Sequence, residues 1–158
     1  MTKEARHCSA EHRMGVVRGL LAAAYAERDS RQPDGGWSGP GYHLAVLGRT
    51  RDFWDSPGPA LVEACARGIE AERDTLAALL TEHWGEPRTL DLRPYLRPLD
   101  IETAAPAPLP FLARLAAELR LWLPGGAGRF VALTVGRADA ESSFELLAAV
   151  GELTALEG

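Results

Sequence analysis

From Ala60 to Trp84 apolar side chains return at helical spacing: Leu61, Val62, Cys65, Ile69, Leu76, Leu79 and Leu80 form one stripe, while Glu63, Arg67, Glu70 and Asp74 point away. A helix this long does not stand alone in water with one greasy side. Its stripe has to be covered by a sheet or a second helix, so this segment commits the chain to a layered fold. Both ends are marked. Pro59 suits the first turn, Gly85 suits the left-handed position past the last turn, and Pro87 blocks continuation; Glu63 and Arg67 stand at the favourable i, i+4 spacing.

Around this helix the other elements follow from period and punctuation. Residues 9–28 read as a helix, with Ser9 as N-cap and Met14, Val17, Leu20, Leu21, Ala24 and Tyr25 at helical spacing. "DGGWSGPG" is turn chemistry, and "YHLAVLG" (42–48) is a short apolar run expected to be a strand buried on both faces. "RTLDL" (88–92) reads as a strand. Five prolines between 94 and 110 exclude regular structure throughout that segment, and Tyr95, Leu96, Leu99 and Ile101 make it too apolar for a free linker. Residues 109–123 fit a helix to about Ala117 followed by the strand "LRLWL", which the loop "PGGAG" joins to "RFVALTVG". A last helix is expected from Ser142 and Glu145 as a capping box, with Phe144, Leu147, Ala148 and Val150 near one face. The expected order is α-β-α-β-α-β-β-α. This is a single α+β domain over residues 1–158, with a small mixed sheet of about four strands, helices packed on it, and residues 1–8 as a disordered tail.

At 158 residues the chain can bury about 70% of its unfolded surface and needs neither disulfide nor metal to fold. Its 22 acidic against 17 basic residues give a net charge of −5, which opposes a nucleic-acid backbone or an anionic membrane surface. Lys3 is the only lysine, the usage of a GC-rich bacterial genome. Two cysteines do not make a secreted disulfide scaffold, and "MTKEARHCSAEHRMG" has no apolar core of a signal peptide, so a cytoplasmic location is expected.

The glycines at 35, 36, 39, 41 and 48 invite three templates, and each fails. A dinucleotide fingerprint needs a helix after its loop, a phosphate loop needs Gly-Lys-Ser/Thr, and G-x-S-x-G would need glycine where Pro40 stands. Cys8 and His12 share a helical face and could be completed by His43, Cys65 or His83. However, Cys65 falls on the apolar stripe and His83 suits a helix C-terminus, so neither metal nor cofactor is expected. Ser38, His43 and Asp34 or Asp52 are close in sequence, which is not triad geometry. Asp139, Glu141 and Glu145 complement a helix N-terminus, and Arg88, Arg93 and Arg97 form a basic segment around Tyr95.

The aromatics Trp37, Tyr42, Phe53 and Trp54 flank one short strand and, with His43, Arg49 and Arg51, form the candidate binding residues. They point to a small acidic non-enzymatic protein that binds another protein, as an adaptor, chaperone or immunity-type partner. The alternative is an enzyme or small-ligand protein whose pocket uses the same aromatics with His43 as acid/base. A homodimer through the N-terminal helix is a third reading.

Overall fold

The computed structural model describes residues 10–32, 36–51, 53, 58–95, 108–125, 128–137 and 142–156. In chain order the elements are α1 (Ala10–Ala22), β1 (Ser30–Arg31), β2 (Trp37–Gly39), β3 (Tyr42–Arg49), α2 (Pro59–Trp84), β4 (Arg88–Asp91), a 3-10 turn (Arg93–Tyr95), α3 (Pro108–Ala113), β5 (Glu118–Trp122), β6 (Arg129–Gly136), β7 (Glu145–Glu152) and a closing 3-10 turn (Leu153–Leu156). The strands form one sheet in the order β1-β2-β3-β7-β6-β5-β4, and every neighbouring pair is antiparallel.

This corrects the expected small mixed sheet of about four strands. The four anticipated strands are present as β3, β4, β5 and β6, joined by β1, β2 and β7 in a seven-stranded antiparallel sheet. The largest difference is β7, where the sequence suggested a helix capped by Ser142. Residues Leu146 to Gly151 are all buried, because β7 lies between β3 and β6 with cover on both faces. A strand buried on both faces loses its polar alternation, and a continuous apolar run has no period that separates strand from helix. Ala148 and Ala149 favour a helix in isolation, but tertiary pairing overrides that preference. The first helix also ends earlier than read, at Ala22 rather than 28, which leaves Tyr25 outside it. Ser9, the expected cap, and residues 1–8, the expected tail, lie outside the described residues.

α2 begins at Pro59 and ends at Trp84, with the Gly85 N–H donating to the Thr81 carbonyl; Gly85 has a positive φ of 86°, but its ψ of −174° is extended and not the left-handed helical value that the sequence suggested. Its buried residues Ile69, Leu76, Ala77 and Leu80 join Met14 and Val17 of α1 over one face of the sheet, against Ala45, Leu47, Trp122, Val131, Leu133, Leu146, Ala148 and Val150. The other face carries Leu44, Leu119, Leu121, Phe130, Ala132, Leu147 and Ala149 beneath Leu92, Leu109 and Leu112. Thus β7 alternates cleanly, 146, 148 and 150 to the helices and 147 and 149 to the far side, as the pleat requires. Between β2 and β3 the turn is Pro40–Gly41 with Gly41 at φ 82°, the pattern of proline followed by a left-handed glycine.

Two glycines allow close contacts here. A Cβ on Gly151 would lie 2.7 Å from two atoms of the Phe130 ring, which is wholly buried and has no room to retreat. At the bulge between Val46 and Gly48, a Cβ on Gly48 would lie 2.8 Å from an Arg13 guanidinium nitrogen. That open space lets Arg13 reach in, donating from Nε to the Leu47 carbonyl at 3.1 Å and pairing with Glu72 at 2.9 Å. We expect Gly151→Ala to destabilise the fold by about 2 kcal/mol through overpacking, measured by urea unfolding. An unchanged midpoint would show that Phe130 can move.

Candidate functional site

The candidate residues that the structure describes do not converge on one surface. Tyr42 and Arg49 mark opposite ends of β3, seven residues and roughly 20 Å apart at strand spacing. Trp37, Tyr42 and His43 belong to one end; Arg49, Arg51 and Phe53 belong to the other, and Trp54 lies outside the described residues. Within each group the pleat and the core divide the side chains again.

At the first end, Ser38 and His43 are cross-strand partners in the β2–β3 hairpin, which brings the Ser38 Oγ to 2.8 Å from His43 Nδ1. The other ring nitrogen, Nε2, lies 3.4 Å from the Ala23 carbonyl oxygen just past α1. A carbonyl can only accept, so Nε2 carries the proton, Nδ1 accepts, and the Ser38 hydroxyl donates. The Ser–His half of a triad is therefore present, but a neutral carbonyl occupies the place of the orienting carboxylate. Asp34 and Asp52 lie outside the described residues. His43 is buried, with the Tyr25 ring 5.2 Å away centroid to centroid.

Arg129, at the start of β6, completes this end. Its Nη1 converges on the carbonyls of Leu20, Leu21 and Ala23 at 3.1, 2.9 and 2.8 Å, and its guanidinium carbon lies 4.0 Å from the Tyr25 ring centroid. The last carbonyls of a helix lack internal partners and carry partial negative charge, so a cation is favoured there. α1 has no glycine cap; Arg129 serves from across the fold. Burial holds the Tyr25 phenol above its ordinary pKa against the opposing pull of Arg129, and its hydroxyl oxygen is buried with no hydrogen-bond partner among the described residues. Tyr42 is buried and donates to Asp29 at 2.8 Å; burial, and then this bond to a carboxylate, push its pKa well up. Trp37, on the edge hairpin, is half-buried, and the Arg31 guanidinium lies 5.7 Å from its ring centroid.

At the second end Arg49 pairs with Glu145 at 2.9 Å, which removes Glu145 from its expected place as a helix cap. Phe53 is buried edge-to-face against Phe144, with centroids 5.8 Å apart, and Arg137 lies over the Phe144 ring at 4.3 Å. Phe53 thus covers the sheet end instead of facing a ligand, while Arg51 is exposed. Arg93 of the basic segment folds back onto Asp91, whose carboxyl its hydrogen bonds hold down at about 2. Arg97, Asp139 and Glu141 lie outside the described residues. So does Cys8; Cys65 is half-buried on α2, and among the described residues no three His, Cys, Asp or Glu side chains gather where a metal could bind. No helix in the described residues is long and apolar enough to cross a membrane.

Sequence reasoning missed Tyr25, Asp29 and Arg129 as members of the first cluster. Arg129 is over a hundred residues from the carbonyls it binds, and no local pattern announces such a cap. Compared with protein-family models, curated proteins and solved structures, the chain matches none of them.

Replacing Arg129 by leucine should cost about 2–3 kcal/mol, the scale of hydrogen bonds to a charged group, and raise amide exchange selectively in α1. Urea unfolding with hydrogen exchange checks both, and equal stability would rule out the cap. The raised Tyr25 and Tyr42 pKa values make the unfolded chain lose its phenolic protons first. Their contribution is present in full below about pH 10 and is lost as the pH climbs above it. Unfolding measured from pH 8 to 11 should show this decline, and Tyr42→Phe should flatten it.

Proposed function

We propose that this chain is a non-enzymatic protein that binds another protein in the cytoplasm, of the adaptor, chaperone or immunity type. The observation that carries the reading is Trp37: on the β1–β2 edge hairpin, it is half-buried beneath Arg31, and Trp and Arg are the side chains most often found at the energetic centre of interfaces. The binding surface is narrower than the sequence suggested, because Tyr42, His43 and Phe53 are core residues. Supporting it, the buried polar side chains Arg13 and His43 make internal contacts, to the Leu47 carbonyl and to Ser38. Neither nucleic acid nor a membrane surface is part of this reading, and it needs no cofactor.

The test is affinity capture followed by a binding titration with the captured protein. Trp37→Ala should weaken binding about 30-fold, the loss of a hot-spot side chain, while Arg88→Ala on the opposite sheet edge should leave it unchanged. Equal binding by both variants would overturn the role of this hairpin.

A second reading, an enzyme or small-ligand protein that uses His43, draws on the 2.8 Å contact between Ser38 and His43. A fluorophosphonate probe separates the two. The protein-binding reading expects no labelling, whereas labelling that disappears in Ser38→Ala would favour an acyl-transfer enzyme.

A further inference from the structure

α1 and α2 lie side by side on the sheet and leave between their outer faces a groove of about 300 Å³, lined by Glu11, Met14, Gly15, Arg18, Leu79 and His83. Met14 and Leu79 supply an apolar floor. Gly15 keeps it open, since a Cβ there would meet nothing within 4 Å. The charges stand at the two ends: Glu11 lies one turn before Gly15 and Arg18 one turn after it, so they are separated by roughly 10 Å along α1. Arg18 Nη2 is 3.1 Å from Nδ1 and 3.4 Å from Nε2 of His83, which puts the guanidinium over the imidazole ring and holds it at the groove.

We propose that a second copy of this chain occupies the groove, forming a homodimer about a two-fold axis that passes between Met14 and Gly15. A purely anionic occupant would meet Glu11 and a purely cationic one would meet Arg18, so the groove suits a surface bearing both signs in the reverse order. An antiparallel α1 supplies that order. With positions related by the axis summing to 29, Glu11 faces Arg18 of the partner subunit and Arg18 faces Glu11 of the partner subunit, while Met14 stays in the core beneath the contact. Such an isologous contact is closed and self-complementary. The absent side chain at Gly15 lets the facing helix come close, and each subunit's α1 rests over the other's α1–α2 groove.

One helix face with its groove is smaller than the roughly 800 Å² per partner of a standard interface, and a net charge of −5 on each copy opposes approach at long range. The dimer is therefore weak, with dissociation on the order of 10–100 μM, and it depends on its ion pairs. This inference does not rest on the proposed function above, since Trp37 and the β1–β2 hairpin take no part in it.

Sedimentation equilibrium from about 10 μM to 1 mM tests it, on a concentration scale set by that expected dissociation. The wild type should associate to a dimer. Glu11→Arg and Arg18→Glu should each stay monomeric with unchanged melting temperature, and the double variant carrying both should recover the dimer because the pairs re-form with their signs exchanged. A wild type that stays monomeric throughout overturns the proposal, as does a dimer that the single reversals leave intact or that the double variant fails to restore. So would a monomeric wild type that dimerises once residues 1–9 are deleted, because the groove would then belong to the chain's own N-terminal segment.

Discussion

Tyr42–Arg49 and Glu145–Glu152 are about a hundred residues apart in the chain, and until they pair neither layer of apolar side chains has a surface to pack on. β3 and β7 are the two strands where the two halves of the sheet meet. β1, β2 and β3 run outward in chain order on one side, and β7, β6, β5 and β4 run outward in reverse order on the other. Because the pleat sends alternate residues to opposite faces, a slip of one position in this pairing would turn Leu146, Ala148 and Val150 away from α1 and α2 and expose the helices' stripe. The bulge between Val46 and Gly48 belongs to the same constraint. It shifts the register near the end of the pairing and opens the space that Arg13 fills.

Two arginines, one buried and one half-buried, act on the backbone. Arg13 ties α1 to β3 through the Leu47 carbonyl and to α2 through Glu72, and Arg129 ties the end of α1 to β6 through three carbonyls. A buried cation is costly unless paired and hydrogen-bonded, and Arg13 is both; Arg129, half-buried, donates its hydrogen bonds to the three carbonyls. α1 is short and carries two glycines, so it has little intrinsic stability, and these two arginines fix its position on the sheet. The same anchoring aligns α1 beside α2 and so shapes the groove between them. On the far side of Arg129 the Tyr25 ring lies against His43, which links the helix end to the β2–β3 hairpin.

The long helix was legible in the sequence because Pro59, Gly85 and a continuous apolar stripe act within one segment, where neighbours in sequence are neighbours in space. β3 to β6 were legible for the same kind of reason: alternation, or a short apolar run bounded by turn residues. β7 was not, since its residues are covered on both faces and leave no period to read, and β1 and β2 are too short to show one. The aromatic cluster was seen as residue types, but which of its members meet was not legible in the sequence. Phe53 is eleven residues from Tyr42 in sequence, and it lies beyond the opposite end of β3 because the intervening strand is extended.

By itself the sequence determined which segments are long, apolar and bounded, and hence that at least one layer of helix had to cover something. It also determined the turn at Pro40–Gly41 and the cap at Gly85, where a single backbone angle is set by the residue that occupies it. Tertiary structure alone decided the number and order of the strands, the pairing of Ser38 with His43 against a helix-end carbonyl, and the division of the candidate residues between two ends of the sheet. Those outcomes depend on how strands pair and on contacts such as that of His43 with the Ala23 carbonyl, and neither leaves a mark on local periodicity.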